Sequence, residues 1–130
     1  RPHGRDAPGG CPGARAPLWQ LELQRASLAT SADDQRGLDV AGRKLSHVVD
    51  PRSGRPASAH WTACVLVRAP AGEADSTAAE RADAWSTATF VLERAACEPP
   101  AGEHGFALLV LEHDGTPWTA GPFPGRKGEP

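Results

Sequence analysis

The stretch Trp61-Thr62-Ala63-Cys64-Val65-Leu66-Val67 decides the fold. It is nearly continuous in apolar residues, a pattern that suits a strand covered on both faces, so it belongs at the centre of a sheet. Phe106-Ala107-Leu108-Leu109-Val110-Leu111 reads as a second buried strand, and Asp114-Gly115 as the hairpin turn that leads from it into Trp118. Between the two strands, Thr77 and Glu80 have the capping-box spacing of a helix start. Alanines dominate the first turns, and the helical pattern runs to about Leu92, where Glu93 and Arg94 lead toward Pro99-Pro100. Trp85 and Phe90, at helical spacing, are expected in the core.

Upstream, Leu21 and Leu23 alternate with Gln20, Glu22 and Gln24, the pattern of a half-buried strand. Ser27 to Ser31 is a short extended piece. Leu38 to Val49 reads as a hairpin turning at Ala41-Gly42, with Leu45, His47 and Val49 on one face of its return strand. Pro51 lacks a ladder donor and biases Asp50 to extended geometry, so residues 50–56 form a loop. The expectation is an α+β fold: mainly antiparallel sheet, one substantial helix and no internal repeat. Residues 1–17 form a flexible Pro/Gly-rich lead-in, 18–121 the folded region and 122–130 a tail.

Length and composition bound the rest. The chain has 130 residues, enough for one small domain or part of a larger one. A net charge of −2 argues against a dedicated nucleic-acid binder, and no apolar run is long enough to cross a bilayer. The chain begins at Arg1 and contains no methionine, so it is not expected to be an intact translation product. A removed leader or upstream segment would have carried any export signal. Cys11, Cys64 and Cys97 are widely spaced and odd in number, which supports neither a zinc site nor a disulfide framework. Cys64, in the apolar run, reads as a buried core residue and Cys11 as exposed.

Two motifs carry chemistry. In His47-Val48-Val49-Asp50-Pro51-Arg52-Ser53-Gly54-Arg55-Pro56, an imidazole and a carboxylate flank a rigid turn. The carboxylate can orient the imidazole and raise its basicity, which makes His47 a candidate general base for a hydroxyl nucleophile. Spacing alone favours the plainer alternative, in which His47 packs on a strand and Asp50 caps its own turn. In Ala82-Asp83-Ala84-Trp85-Ser86-Thr87, a carboxylate and a hydroxyl lie four apart on one helix face. Magnesium takes such oxygen ligands together with water and substrate phosphates. The plainer alternative is an aspartate favourable to the helix dipole and a threonine bonded back to its own helix. Arg52 and Arg55 are candidates for phosphate contact and equally for solvated turn residues. No Gly-rich loop follows a strand and opens a helix, which disfavours Rossmann or Walker nucleotide binding. Together the two motifs suggest a general base beside a hard-cation site that holds phosphates.

In this order, the motifs resemble the ApbE family, the FAD:protein FMN transferases. Leu28-Ala29-Thr30-Ser31 is similar to that family's short Ala-Thr-Ser strand. The stretch from Leu45 to Pro56 is similar to its His-x-x-Asp-Pro-Arg-Thr-Gly-x-Pro signature, with Ser53 in place of threonine. Ala63 to Ala69 corresponds to the following strand, Ala82 to Leu92 to the helix that supplies metal ligands, and Gly105 to Gly115 to the closing hairpin. The resemblance implies a magnesium-dependent enzyme that splits the pyrophosphate of FAD and moves FMN onto a threonine or serine hydroxyl of an acceptor protein. It implies catalytic roles for His47 and Asp50, with Asp50 orienting the loop or His47. It also implies flavin contacts at Thr30, Ser31, His47 and Arg52, and metal ligands at Asp83 and Thr87 with a backbone carbonyl as a third.

The family domain is at least twice this length, so the chain is similar to its C-terminal half. An N-terminal half, missing here, is the expected partner that completes the site. The compartment is left open, with a lean to the periplasm or a membrane-associated setting because family members commonly act on exported targets. The competing reading is a non-catalytic flavin-binding or degenerate ApbE-like module. Retention of His47, Asp83 and Thr87 together favours the enzyme.

Overall fold

The computed structural model describes residues 19–33, 37–72, 74–124 and 126–127. In chain order the elements are β1 (Trp19–Gln20), β2 (Ala26–Ala32), β3 (Leu38–Val40), β4 (Arg43–Leu45), β5 (Val49–Asp50), β6 (Arg55–Pro56), β7 (Thr62–Arg68), α1 (Asp75–Val91), α2 (Arg94–His104), β8 (Phe106–Leu111), β9 (Pro117–Ala120) and β10 (Arg126–Lys127). The apolar run beginning at Trp61 becomes β7, a central strand of a four-stranded antiparallel sheet ordered β2-β7-β8-β9. Its register sets Ala63 opposite Val110, Val65 opposite Leu108 and Val67 opposite Phe106. All six are at most 1% exposed, because α1 packs across this face of the sheet. The helix approaches closely through Ala78, Ala82 and Ser86, spaced four apart and fully buried, and then inserts Phe90 at 0% exposure. Trp85 packs on this core as expected, its ring centroid 4.6 Å from that of Phe106.

Several expectations change. Beyond Gln20 the alternating residues Leu21 to Leu23 take no regular structure, and Leu23 is exposed. Periodicity is only a local signal, and among the described residues no strand pairs with that stretch. The helix starts at Asp75 with Ala74 at its N-cap, so Thr77 and Glu80 lie inside the first turns and form no capping box. A second helix, α2, beyond the one expected, runs through Pro99 and Pro100 although proline disfavours a helix interior. It persists by burying Cys97 and Ala101 and by pairing Arg94 Nε with Glu98 Oε1 at 2.9 Å. Gly105, at φ +65°, ends it in the left-handed conformation.

The hairpin at Ala41-Gly42 forms, with φ values of +50° and +75° that suit a tight strand reversal. Its return strand stops at Leu45, however, so His47 and Val49 do not continue it. Residues 49–56 instead make a miniature hairpin, Val49 pairing with Pro56 and Asp50 with Arg55. Cys64 is only partly buried and faces away from the helix, whereas Cys97 lies in the core. Cys11 falls outside the described residues. No helix among the described residues is long and apolar enough to cross a membrane.

A part-buried polar network closes one end of the sheet. His60 is 1% exposed, with Nδ1 2.8 Å from Glu112 Oε2 and Nε2 2.9 Å from the Leu92 carbonyl oxygen. Trp118 Nε1 donates to Glu112 Oε1 at 2.6 Å. Burial pushes the Glu112 carboxyl up, but the hydrogen bonds from His60 and Trp118 outweigh it and hold the group below its usual value of 4.5. A depressed carboxylate stabilises the fold above its unfolded-state pKa, and that contribution disappears as pH falls through the folded value. Glu112→Gln is therefore expected to cost on the order of 1 kcal/mol at pH 7, with the gap to the wild type closing below about pH 4. Urea unfolding of both proteins at pH 7 and pH 3.5 checks this, and a gap independent of pH would remove the charge from the explanation.

Candidate functional site

Strand β2 lays one edge of the site. Side chains alternate across a strand, so Ser31, opposite Ala63, faces α1, while its neighbour Thr30 faces the other side and donates to Cys64 Sγ at 3.3 Å. The two expected flavin contacts Thr30 and Ser31 are thus divided between the sheet's faces. On the helix side, Ser31 Oγ lies 3.0 Å from Ser86 Oγ and 3.4 Å from Thr87 Oγ1. Ser86 Oγ donates to the Asp83 carbonyl oxygen at 2.9 Å, and Thr87 Oγ1 approaches the same oxygen at 3.4 Å. These hydroxyls tie β2 to α1. They leave Asp83 and Thr87 exposed one turn apart on the helix.

The donor set offered there is hard oxygen throughout: one carboxylate and adjacent hydroxyls. That chemistry fits magnesium, which takes one or two carboxylates and completes its octahedron with water and phosphate. It does not build a closed cage. Among the described residues no group of three or more His, Cys, Asp or Glu converges as metal ligands.

The second motif forms the turn between β5 and β6. Asp50 is committed to Arg52: its Oδ1 accepts from the Arg52 backbone N at 2.9 Å and from Nε at 2.9 Å, and Oδ2 accepts from Nη2 at 2.8 Å. The Arg52 guanidinium beside it holds the Asp50 carboxyl below the usual aspartate range. Arg52 Nη2 also donates to the Val91 carbonyl oxygen at 3.3 Å, anchoring the turn to the last residue of α1. Asp50 thus orders the loop. The acidic neighbour of His47 is instead Asp33, whose Oδ1 lies 4.0 Å from His47 Nδ1.

Asp33 follows directly on β2 and was invisible to motif reading, because an Asp-Asp pair after a strand reads as an ordinary loop. The buried Ser86 left no signal in the sequence for a related reason: it sits between Asp83 and Thr87, whose spacing alone suggests a cation site. An open cleft of about 480 Å³ runs beside Asp33, lined also by Ser46, Arg55, Pro56, Ser58 and His113.

The ApbE family model matches residues 5–105. The chain belongs to the ApbE family. Over 95 residues this ApbE chain is 32% identical to the FAD:protein FMN transferase of Escherichia coli K12, and 30% identical to the protein of the same name from Klebsiella pneumoniae. Each match takes in 73% of this chain and 25% of the relative, so the chain spans about a quarter of the length of those proteins. Among solved structures it is similar to the ApbE protein of Thermotoga maritima, with a TM-score of 0.57 and 29% identity over 72% of this chain and 28% of that one. It is also similar to the apo flavinyl transferase ApbE of Pseudomonas stutzeri, with a TM-score of 0.55 and 29% identity over 77% and 30% of the two chains. The α+β architecture with its antiparallel sheet agrees with these structures.

Proposed function

We propose that this chain is the part of a flavin transferase that carries its general base and its cation-binding helix. The reaction is transfer of FMN from FAD to a threonine or serine hydroxyl of an acceptor protein. The observation that carries the reading is the junction of β2 with α1 at Ser31 and Thr87. It presents a carboxylate and hydroxyls on one surface of a chain whose relatives are named FAD:protein FMN transferase.

In the proposed step the acceptor oxygen forms a bond to the FMN phosphorus as its proton passes to His47. The P–O bond of the pyrophosphate breaks, and AMP leaves with the electron pair and is then free to take up that proton. Asp83 and Thr87 would hold magnesium, which supplies charge neutralisation at the phosphates when bound. Arg52, already neutralised by Asp50, serves mainly to fix the turn and through it the loop that bears His47. The upstream part of the site is supplied by protein outside this chain.

In-gel fluorescence of an acceptor protein incubated with FAD and magnesium tests the reading. The chain is used alone and joined to an upstream segment taken from a relative. A covalent fluorescent band from either form supports transfer. Failure of both, with FAD still bound, would favour a non-catalytic flavin module. In the active form, Asp83→Asn is expected to raise the magnesium concentration for half-maximal rate at least about tenfold. Its stability should stay within about 0.5 kcal/mol of the wild type, since Asp83 is exposed. An unchanged magnesium titration would remove Asp83 from the cation site.

A further inference from the structure

We propose that Asp33 is a positioning residue for His47, turning the imidazole so that Nδ1–H points at the Asp33 carboxylate and Nε2 is left free to take a proton. This deepens the reading of His47 as a base and rests on it.

Three observations converge. Asp33 is 8% exposed, a degree of burial rare for an aspartate. Its Oδ1 is shut off from solvent and has no hydrogen-bond partner among the described residues. A buried carboxylate oxygen left without a donor has lost its hydration with nothing in exchange, so such an atom needs a use. The group across the gap is His47 Nδ1 at 4.0 Å, and closing by about 1 Å makes a normal hydrogen bond. Catalytic hydrogen bonds are commonly long before substrate binds and tighten afterwards.

The backbone on either side limits what else can move. Asp33 N donates to the Trp61 carbonyl oxygen at 3.4 Å, which ties this end of β2 to the residue before β7. Ser46 is buried, and its Oγ accepts from Val48 N at 3.1 Å, bracketing His47 in a short bridged loop. Ala57 N donates to the Val48 carbonyl oxygen at 2.8 Å and holds the same loop from the other side. With the loop fixed, ring rotation is the remaining freedom of His47, and Asp33 is the group placed to remove it. Asp50 cannot do so, because Arg52 occupies both of its oxygens.

The first test reads the tautomer of neutral His47 by long-range 1H–15N spectroscopy of this chain, and so does not depend on transferase activity. The expected result is a dominant Nδ1–H form that reverts in Asp33→Asn toward the Nε2–H majority of a free imidazole. A wild-type ring already in the Nε2–H form would overturn the proposal, whether or not Asp33→Asn folds. In the transfer assay, Asp33→Asn is expected to lower kcat about 10²-fold with the KM for FAD unchanged, and Asp33→Glu to restore part of it. Equal losses in Asn and Glu variants, or a loss confined to KM, would also sink it. The expected tautomer in a protein that never transfers flavin would leave Asp33 in place and discard the transferase reading instead.

Discussion

Replacing His47 with alanine is expected to reduce flavin transfer by about 10²- to 10⁴-fold, the usual contribution of a positioned general base. FAD affinity should change by no more than about twofold. The side chain is 38% exposed and makes no contribution to the core, so the protein should unfold within about 0.5 kcal/mol of the wild type. The acceptor hydroxyl is a weak nucleophile until its proton is removed, and of the imidazole and carboxylate in the signature turn only Asp50 is already engaged with Arg52. Transfer rates by fluorescence, alongside equilibrium FAD binding, separate the two effects. Normal transfer by His47→Ala would move the base elsewhere. A loss matched by weaker FAD binding would make His47 a flavin contact rather than a base.

Phe90→Ala should have the largest effect on stability. Phe90 is fully buried where α1 meets the sheet, in one cluster with Val65, Val67, Phe106, Leu108 and Trp118. Truncating such a ring removes its transfer free energy and leaves a cavity that a backbone held by Ala78, Ala82 and Ser86 cannot close. The expected cost is about 3–5 kcal/mol, out of the 5–15 kcal/mol typical of a whole domain. Phe90→Leu, which fills most of the volume, should cost roughly half as much. Urea unfolding monitored by circular dichroism measures both. A Phe90→Ala loss below about 1 kcal/mol would mean that α1 is not held by this contact, and that the geometry of Asp83 and Thr87 depends on something else.

How much of the site was legible follows from which signals are local. Strand β7 and strand β8 were visible because an unbroken apolar run has few other ways to be satisfied in a fold. The turn at Asp50 to Pro56 was visible as a break, since proline and glycine act within a few residues of themselves. Its pairing as a miniature hairpin was not, because two short rungs depend on where the ends of the turn lie. Helix α2 was hidden for the opposite reason. Local chemistry at Pro99-Pro100 argued against a helix, and burial of Cys97 and Ala101 overrode it.

The amino-acid sequence alone determined the strand-helix-strand core, the two motifs and the family they resemble. Each is written in residue types at short spacings, where sterics and side-chain chemistry act directly. Only the tertiary structure decided which groups meet. It brings Ser31 across 55 positions to Ser86, sends Thr30 to the opposite face, gives Asp50 to Arg52, and sets Asp33 rather than Asp50 before His47. Those partnerships are products of sheet register and helix docking, which are fixed by burial of the whole core and leave no mark at the positions they join.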